Sequence, residues 1–87
     1  MTEELAEKYI RKTERAIRNL KTVLNPSLAT EKIEETLSEA KRYLKDAEYY
    51  FGREMFDASL TSIAYCEGLL DALRFLGLVE FSWEDQE

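Results

Sequence analysis

The sequence contains no histidine, and this absence excludes several kinds of chemistry. Acid–base catalysis by histidine, metal binding by histidine and nucleophiles activated by histidine are all ruled out. The single cysteine, Cys66, can form neither an internal disulfide nor a zinc–thiolate cluster. A secreted scaffold held together by disulfides is therefore excluded as well.

Proline, glycine and long apolar runs are also scarce. One proline and three glycines in 87 residues argue against a turn-rich β architecture and favour helices. No apolar run approaches the roughly 20 residues that a membrane-spanning helix needs. The N-terminal segment is acidic and lacks the basic and apolar regions of a signal peptide. We therefore expect a cytoplasmic protein without a membrane segment.

The charge of the chain is unbalanced towards acid, with a formal net charge of −6. Only residues 2–24 carry an excess of base, including a stripe of Lys8, Arg11, Arg15 and Arg18. Glutamates one helical turn before three of these positions predict i,i+4 ion pairs on an ordinary solvated face. Nucleic-acid binding is therefore not expected. The scarcity of Asn and Gln beside abundant Glu and Lys is a weak indication of a thermophilic source.

The spacing of apolar residues predicts three helices. Two short connections between them imply antiparallel neighbours. The expected fold is therefore all-α: an antiparallel up-down-up three-helix bundle with a short extended C-terminal tail, in a single domain covering 1–87. The predicted bounds are about 2–24 for helix 1, about 29–51 for helix 2, about 57–76 for helix 3 and 77–87 for the tail.

Four residues predict where these helices begin and end. Pro26 ends helix 1, because the residue before a proline is pushed out of the helical region. Gly52 breaks helix 2, and Asp57 is expected to cap the start of helix 3 with its carboxylate. Gly77 is expected to end helix 3 with a positive φ angle.

The region covering helices 2 and 3 carries a pattern of tyrosine, alanine, aspartate and glycine that is typical of a known family. The matching positions are Tyr43, Asp46, Ala47, Tyr50, Phe51, Ile63, Tyr65, Gly68, Leu70, Asp71, Ala72, Leu76, Gly77 and Leu78. With these residues the chain resembles the archaeal family called domain of unknown function 357. Cys66 departs from the pattern, in which alanine is usual. The resemblance implies a small three-helix bundle of archaeal origin with no established activity.

A looser resemblance connects the helix pair to HEPN-type helical bundles, which associate with nucleotidyltransferases. This resemblance implies a nucleotidyltransferase-like protein as one kind of partner. The ribonucleases of that group depend on a motif that contains histidine. Their chemistry is excluded here, because the chain has none.

One line of polar residues interrupts the apolar surface of helix 3. Glu67 and Asp71 lie one turn apart on it, and Asp46 and Glu39 lie on the edge of helix 2. These four carboxylates are candidates for an Mg²⁺ or Mn²⁺ site. The favoured interpretation is simpler: Arg74 neutralises Asp71, and the line is a solvated face. No cofactor is therefore expected.

A second line on helix 3 consists of small residues at four-residue spacing, which lets two helix backbones approach closely. Close packing against helix 1 inside the bundle is the favoured interpretation, and a self-association ridge is the alternative. Apolar residues cover well over half of the helix 3 surface, more than a peripheral helix needs. The predicted interaction surface consists of Ala64, Gly68, Ala72, Phe75, Tyr49 and Trp83.

These patterns predict a non-catalytic interaction, assembly or accessory module. Its partner would be a second copy of the chain or another protein. Two alternatives stay open. A divalent-metal or nucleotide-related site could be built on the carboxylates of helices 2 and 3, or the tail could fold back and shield all the excess apolar surface. Cys66 is expected to be an inert buried thiol.

Overall fold

The computed structural model describes residues 1–23 and 30–84. Its three helices pack against one another, which confirms the predicted all-α fold with a short C-terminal tail. Within the described residues, no helix is both long enough and apolar enough to cross a membrane. In chain order the elements are α1 (Thr2–Asn19), β1 (Lys21–Thr22), α2 (Thr30–Gly52), α3 (Phe56–Phe75) and β2 (Val79–Glu80).

The helices alternate in direction, as predicted. Only residues 53–55 separate α2 from α3, so these two helices form an antiparallel pair. The Ser59 hydroxyl donates a hydrogen bond of 2.7 Å to the Ala47 carbonyl across this pair, and the rings of Tyr43 and Tyr65 lie 4.4 Å apart. The segments that follow α1 and α3 pair with each other, so the C-terminal ends of these two helices lie at the same end of the bundle. Helix α1 therefore runs parallel to α3.

Helix α1 ends at Asn19, and the prediction that it extends to about residue 24 is wrong. Leu20 adopts an extended conformation with φ −68° and ψ 138°. The chain then enters β1, which pairs antiparallel with β2. The connection to α2 therefore begins at Leu20 rather than after residue 24. The predicted stop before Pro26 and the predicted start of helix 2 at residue 29 lie outside the described residues.

Pairing with the tail explains this early end. Lys21 lies opposite Glu80 and Thr22 opposite Val79, and the Val23 N–H donates to the Leu78 carbonyl at 2.9 Å. These bonds satisfy backbone groups that a longer helix would have satisfied internally. They also hold Val79, which is 1% exposed, in the core. A contact between segments more than 50 residues apart therefore overrides the local helical pattern.

The end of α3 agrees with the prediction. Gly77 has φ +75°, its N–H donates to the Arg74 carbonyl at 3.0 Å, and the Leu78 N–H donates to the Leu73 carbonyl at 2.9 Å. These two bonds define a Schellman motif. Leu73 and Leu78 are buried in the same cluster, which supplies the apolar contact that accompanies the motif.

The same motif ends α2, but not at the predicted residue. Gly52 is the last helical residue, and the left-handed position is occupied by Glu54 with φ 60°. The Met55 N–H donates to the Tyr50 carbonyl at 2.9 Å and closes the turn. Because α3 then begins directly at Phe56 with Met55 as its N-cap, the prediction of a cap by Asp57 is wrong. Asp57 lies in the first turn of α3.

The core lies between the three helices and continues beneath the β1–β2 pair. Small residues on α2, Ala40 and Ala47, are fully buried and bring α2 close to α3. Trp83 and Phe81 of the tail pack against the main cluster, which consists of Ile10, Ala40, Leu44, Ala47, Ile63, Cys66 and Leu70. A second cluster contains Ile33, Leu73, Leu78 and Val79.

Candidate functional site

The two candidate carboxylates on α2 are both bound to Arg42. Its Nε and Nη2 atoms donate to the Glu39 carboxylate at 3.1 and 2.9 Å, and its Nη1 lies 3.6 Å from Asp46 Oδ2. The hydrogen bonds from Arg42 lower the pKa of Glu39, and the hydrogen bond to Glu39 raises the pKa of Arg42. Arg42 also stacks over the Tyr43 ring at 4.5 Å. This arrangement is an ion-pair network on the surface of α2.

Glu67 on α3 forms an ion pair with a lysine of α1. Lys12 Nζ lies 3.0 Å from Glu67 Oε2, and both side chains are mostly buried. The same ammonium lies 4.6 Å from the centre of the Tyr9 ring and 4.9 Å from that of Trp83. Partly desolvated cation–π contacts of this kind stabilise a cation between two rings. Lys12 therefore connects α1, α3 and the tail.

Asp71 anchors the tail to α3. Its Oδ1 accepts a hydrogen bond of 2.8 Å from the indole Nε1 of Trp83 and one of 3.2 Å from Arg74. Arg15 on α1 donates to the Trp83 carbonyl at 3.4 Å, and the rings of Phe81 and Trp83 meet edge to face at 4.8 Å. The predicted neutralisation of Asp71 by Arg74 is therefore present. The interpretation of this polar line as a solvated face is wrong, because Glu67 and Asp71 are largely buried by contacts with Lys12 and Trp83 that the sequence did not reveal.

The structure separates the four candidate metal ligands into two pairs. Glu39 and Asp46 surround Arg42 on α2, whereas Glu67 and Asp71 face Lys12, Arg74 and Trp83. Within residues 1–23 and 30–84, no group of three or more Asp, Glu, Cys or His side chains is placed to hold a metal ion. A metal site built from these carboxylates stays a prediction.

The outward surface of α3 is apolar and exposed along most of its length. Phe75 is 75% exposed, Leu76 70% and Tyr65 55%. Small residues occupy the middle of this surface, and none of its members carries a charge. We call it the outer face of α3; it consists of Thr61, Ala64, Tyr65, Gly68, Ala72, Phe75 and Leu76.

The favoured interpretation of the small-residue line, close packing against helix 1, is wrong. Ala64, Gly68 and Ala72 are all exposed, and no atom outside the helix backbone lies within 4 Å of the position of a Cβ on Gly68. The reason is that α1 and α2 both contact the opposite side of α3. That inner face consists of Ser59, Ile63, Cys66, Leu70 and Leu73.

The described part of the tail, residues 77–84, does not shield the outer face. Val79 is buried and Phe81 and Trp83 pack on the core, but Phe75 and Leu76 stay exposed beside them. Trp83 is half-buried and engaged with Asp71, whereas Tyr49 on α2 is 58% exposed and its hydroxyl accepts a bond of 2.9 Å from Arg53. The structure therefore adds Tyr65 and Leu76 to the predicted surface. The sequence indicated these two residues only through the excess of apolar residues on helix 3.

Cys66 lies in the core, as predicted. Its side chain is fully buried, and burial raises the pKa of its thiol to about 12. A thiol that stays protonated at neutral pH is a poor nucleophile and a poor metal ligand. The cysteine is therefore a packing residue.

A groove between α1 and α2 contains a pair of glutamates that sequence reasoning missed. Its volume is about 340 Å³, and Ile10 and Phe51 form its apolar part. A hydrogen bond to the Glu14 carboxyl, together with partial burial, raises the pKa of Glu48 to about 7. Because these residues lie on different helices, no local pattern signals their contact. Glu7 and Arg11, which form an ion pair of 3.1 Å, complete the rim.

The fold and these contacts define a small three-helix bundle with an anchored tail and an exposed apolar helix face. The chain matches the family described as "Protein of unknown function (DUF357)" over residues 8–79, and it belongs to that family. The resemblance seen in helices 2 and 3 is thereby confirmed. Comparison with the curated proteins and with the solved structures finds no match.

Proposed function

We propose that this protein is a non-catalytic helical module that assembles with a protein partner through the outer face of α3. The observation that carries the proposal is the exposure of an uncharged apolar face along a helix whose inner face already supplies the core. Exposed apolar patches larger than a few scattered residues are typical of interaction sites.

Nothing in the described residues, 1–23 and 30–84, explains why position 68 is a glycine. A glycine in the middle of a helix destabilises it by about 1 kcal/mol relative to alanine. At Gly68 the backbone is helical, and a Cβ would meet no neighbouring atom. Alanine would therefore be tolerated in the isolated chain. Close approach of a second backbone, which small residues at four-residue spacing permit, supplies a reason for the glycine.

The two acidic residues on one edge of the outer face, Glu67 and Asp71, are paired inside the chain. Glu67 is paired with Lys12 at 3.0 Å, and Asp71 with Arg74 at 3.2 Å. A partner can therefore cover this edge without burying an unpaired charge, which would be costly. The same contacts disfavour the metal alternative. To bind a cation, Asp71 would have to release its hydrogen bond from Trp83.

The class of the partner follows from the chemistry of the face. An apolar helix surface with a central line of small residues fits another helix with a similar surface. A second copy of this chain supplies such a helix, and so does a helix of a different protein. The looser resemblance to HEPN-type bundles adds a nucleotidyltransferase-like protein to the second group.

A charge-insertion pair tests the proposal on the full chain. Ala64→Arg places a cation in the outer face, and Ser38→Arg places the same side chain at an exposed position of α2. Both positions are exposed in helices, so we expect both variants to keep the circular dichroism spectrum of the parent. Their free energies of unfolding should lie within about 0.5 kcal/mol of the parent value. Assembly is measured as the size of the complex that the tagged protein forms, alone and in an extract of its source.

We expect Ala64→Arg to reduce complex formation at least tenfold and Ser38→Arg to leave it unchanged. If both variants assemble exactly as the parent does, in both settings, the outer face is not the docking surface and the proposed function is wrong. If the parent forms no complex in either setting, the proposal is also wrong.

A further inference from the structure

Building on the proposed function, we infer that the partner on the outer face of α3 is a second copy of this chain. The two α3 helices pack antiparallel, with Gly68 at the twofold axis. Cyclic dimers with identical faces in contact are the commonest soluble oligomers.

The outer face matches itself about Gly68. In an antiparallel pair centred there, Ala64 lies opposite Ala72 of the second copy, and Gly68 lies opposite Gly68 of the second copy. Phe75, the most exposed aromatic ring in the described residues, then lies opposite Thr61 of the second copy rather than against another ring. Small residues therefore meet at the centre, where the backbones are closest, and the Phe75 ring meets a threonine nearer the end of the face.

Asp57 selects the antiparallel direction. At 100° per residue it lies within about 20° of Gly68 and Phe75, so it is in line with the outer face. It is exposed in the first turn of α3. A parallel pair would bring the two Asp57 carboxylates together. Since Asp57 precedes Gly68 by 11 residues, an antiparallel pair places them about 33 Å apart, far beyond the Debye length in physiological salt of about 8 Å.

The area of the face is enough for a specific but weak dimer. A buried aromatic side chain covers about 150–250 Å². We scale the side-chain areas of Phe75, Tyr65 and Leu76 by their exposed fractions and add the small residues. The outer face then offers on the order of 500 Å² of surface per copy. Two copies therefore bury about 1,000 Å² in total, at the lower limit for a specific interface. A dimer of this size is expected to form at micromolar rather than nanomolar concentration.

The net charge of the chain predicts how salt affects this dimer. Each copy carries −6, so two copies repel each other at long range. Added salt screens this repulsion, and apolar contact at the interface is not weakened by it. Dimerisation of this chain should therefore strengthen with NaCl. A basic partner helix would instead bind less tightly as NaCl is added.

Light scattering of the purified full chain is the first experiment. We expect the mass to rise from 10.2 kDa towards twice that value between 1 and 500 µM, and to rise at lower concentration in 0.5 M than in 0.05 M NaCl. Gly68→Leu should leave a folded monomer, because nothing lies within 4 Å of its Cβ position, and should abolish the rise. Ser38→Leu is the matched control and should dimerise as the parent does.

Disulfide trapping then tests the register, in a Cys66→Ala background that removes the buried native thiol. Gly68→Cys should cross-link to itself under mild oxidation. Ala64→Cys alone should cross-link at least tenfold more slowly than a mixture of Ala64→Cys and Ala72→Cys. Tyr49→Cys, which is exposed on α2, is the control that should not cross-link. Equal self-linking of Ala64→Cys and Gly68→Cys would overturn the antiparallel register.

This inference and the proposed function fail in different ways. A monomer mass at every concentration and salt level overturns the second copy as the partner. If Ala64→Arg still removes a complex in the source extract in that case, the proposed function stands with another protein on the face. If the purified chain dimerises but Gly68→Leu does not affect it, the dimer uses another surface and this inference is wrong. The proposed function is then decided by whether Ala64→Arg removes a complex in the source extract.

Discussion

The two faces of α3 are both apolar, yet they have opposite environments. The inner face contains Ile63, Cys66 and Leu70, which are at most 1% exposed. The outer face contains Phe75, which is 75% exposed, and a centre of small residues. Hydrophobic character therefore does not distinguish the faces. The two faces differ in the size of the side chains at their centres. Large side chains lie in the middle of the inner face, and small ones lie in the middle of the outer face.

This difference indicates two kinds of contact. Branched and bulky residues on the inner face pack against side chains of α1 and α2 in the core. Ala64, Gly68 and Ala72 would instead let another backbone come closer. One face thus holds the monomer together, and under the proposed function the other is the surface for assembly. The following predictions test whether stability and association really separate in this way.

The largest expected effect is on the inner face. Leu70→Ala should lower the free energy of unfolding by about 3 kcal/mol, because it opens a cavity at a fully buried position. Leu76→Ala, on the outer face, should change it by less than about 0.5 kcal/mol. Urea unfolding at low micromolar concentration measures both. Equal losses for the two leucines would show that the outer face also stabilises the monomer.

The second prediction concerns the residue at which the chain leaves α3. Phe75 and Leu76 lie outside, and Leu78 and Val79 turn back into the core. Gly77→Val should destabilise the fold by about 1 to 2 kcal/mol, because valine is strained at φ +75°.

Gly52→Val is the matched control for this change. Gly52 lies at the end of α2 without a positive φ angle, and its surroundings are open. Its replacement should cost less than about 0.5 kcal/mol. Thermal melts compare the two variants. If Gly77→Val melts with the parent, the Schellman motif contributes nothing measurable to the end of α3.

The third prediction is a gain in stability on the outer face. Gly68→Ala should raise the free energy of unfolding by about 0.5 to 1 kcal/mol, since alanine is the better helix former and its Cβ meets no neighbour. Ala72→Gly is the reverse change one turn away and should lower it by a similar amount. The measurement is made below the concentration at which dimers form. A loss of stability in Gly68→Ala would mean that the glycine is needed inside the monomer.

The smallest expected effect is a dependence of stability on pH that originates away from α3. The folded state holds the Glu48 proton more tightly than the unfolded chain does, because its pKa is raised from 4.5 to about 7. Its favourable contribution is therefore fully present below about pH 4.5 and is lost as the pH rises to about 7. Solvent screening at this exposed site keeps the difference to about 1 kcal/mol or less.

Glu48→Gln tests this contribution. This variant should flatten the dependence of the free energy of unfolding on pH and make the chain more stable than the parent at pH 8. Glu34→Gln, a change at an exposed position of the same helix, should do neither. Association through α3 should be equally strong in both variants, because Glu48 lines the groove between α1 and α2. A profile that keeps its slope in Glu48→Gln would assign the pH dependence to another group.

Much of the fold could be predicted from local patterns. The periodicity of α2 and α3 indicated which residues share a helix face, and Gly77 marked a helix end correctly because a left-handed residue is required there. The end of α1 could not be predicted. Its helical pattern continues past Asn19, but pairing of β1 with the tail supplies alternative hydrogen bonds. Local propensity does not include such distant partners.

The candidate site shows the same division. The sequence indicated the small-residue line and the Asp71–Arg74 pair, since both depend only on spacing within one helix. It did not reveal the hydrogen bond from Trp83 to Asp71, the contact of Lys12 with Glu67 or the Glu14–Glu48 pair. Each of these contacts joins two different elements. Their formation depends on how the elements are placed side by side.

The sequence by itself determined that the chain forms a helical bundle without histidine chemistry, and that α3 is apolar on more than one side. Only the tertiary structure decided which side of α3 is covered. Helical periodicity specifies the angular position of each residue around its own axis, but not where the neighbouring helices lie. Because α1 and α2 both contact the side of Ile63 and Leu70, the line of Ala64, Gly68 and Ala72 is left exposed.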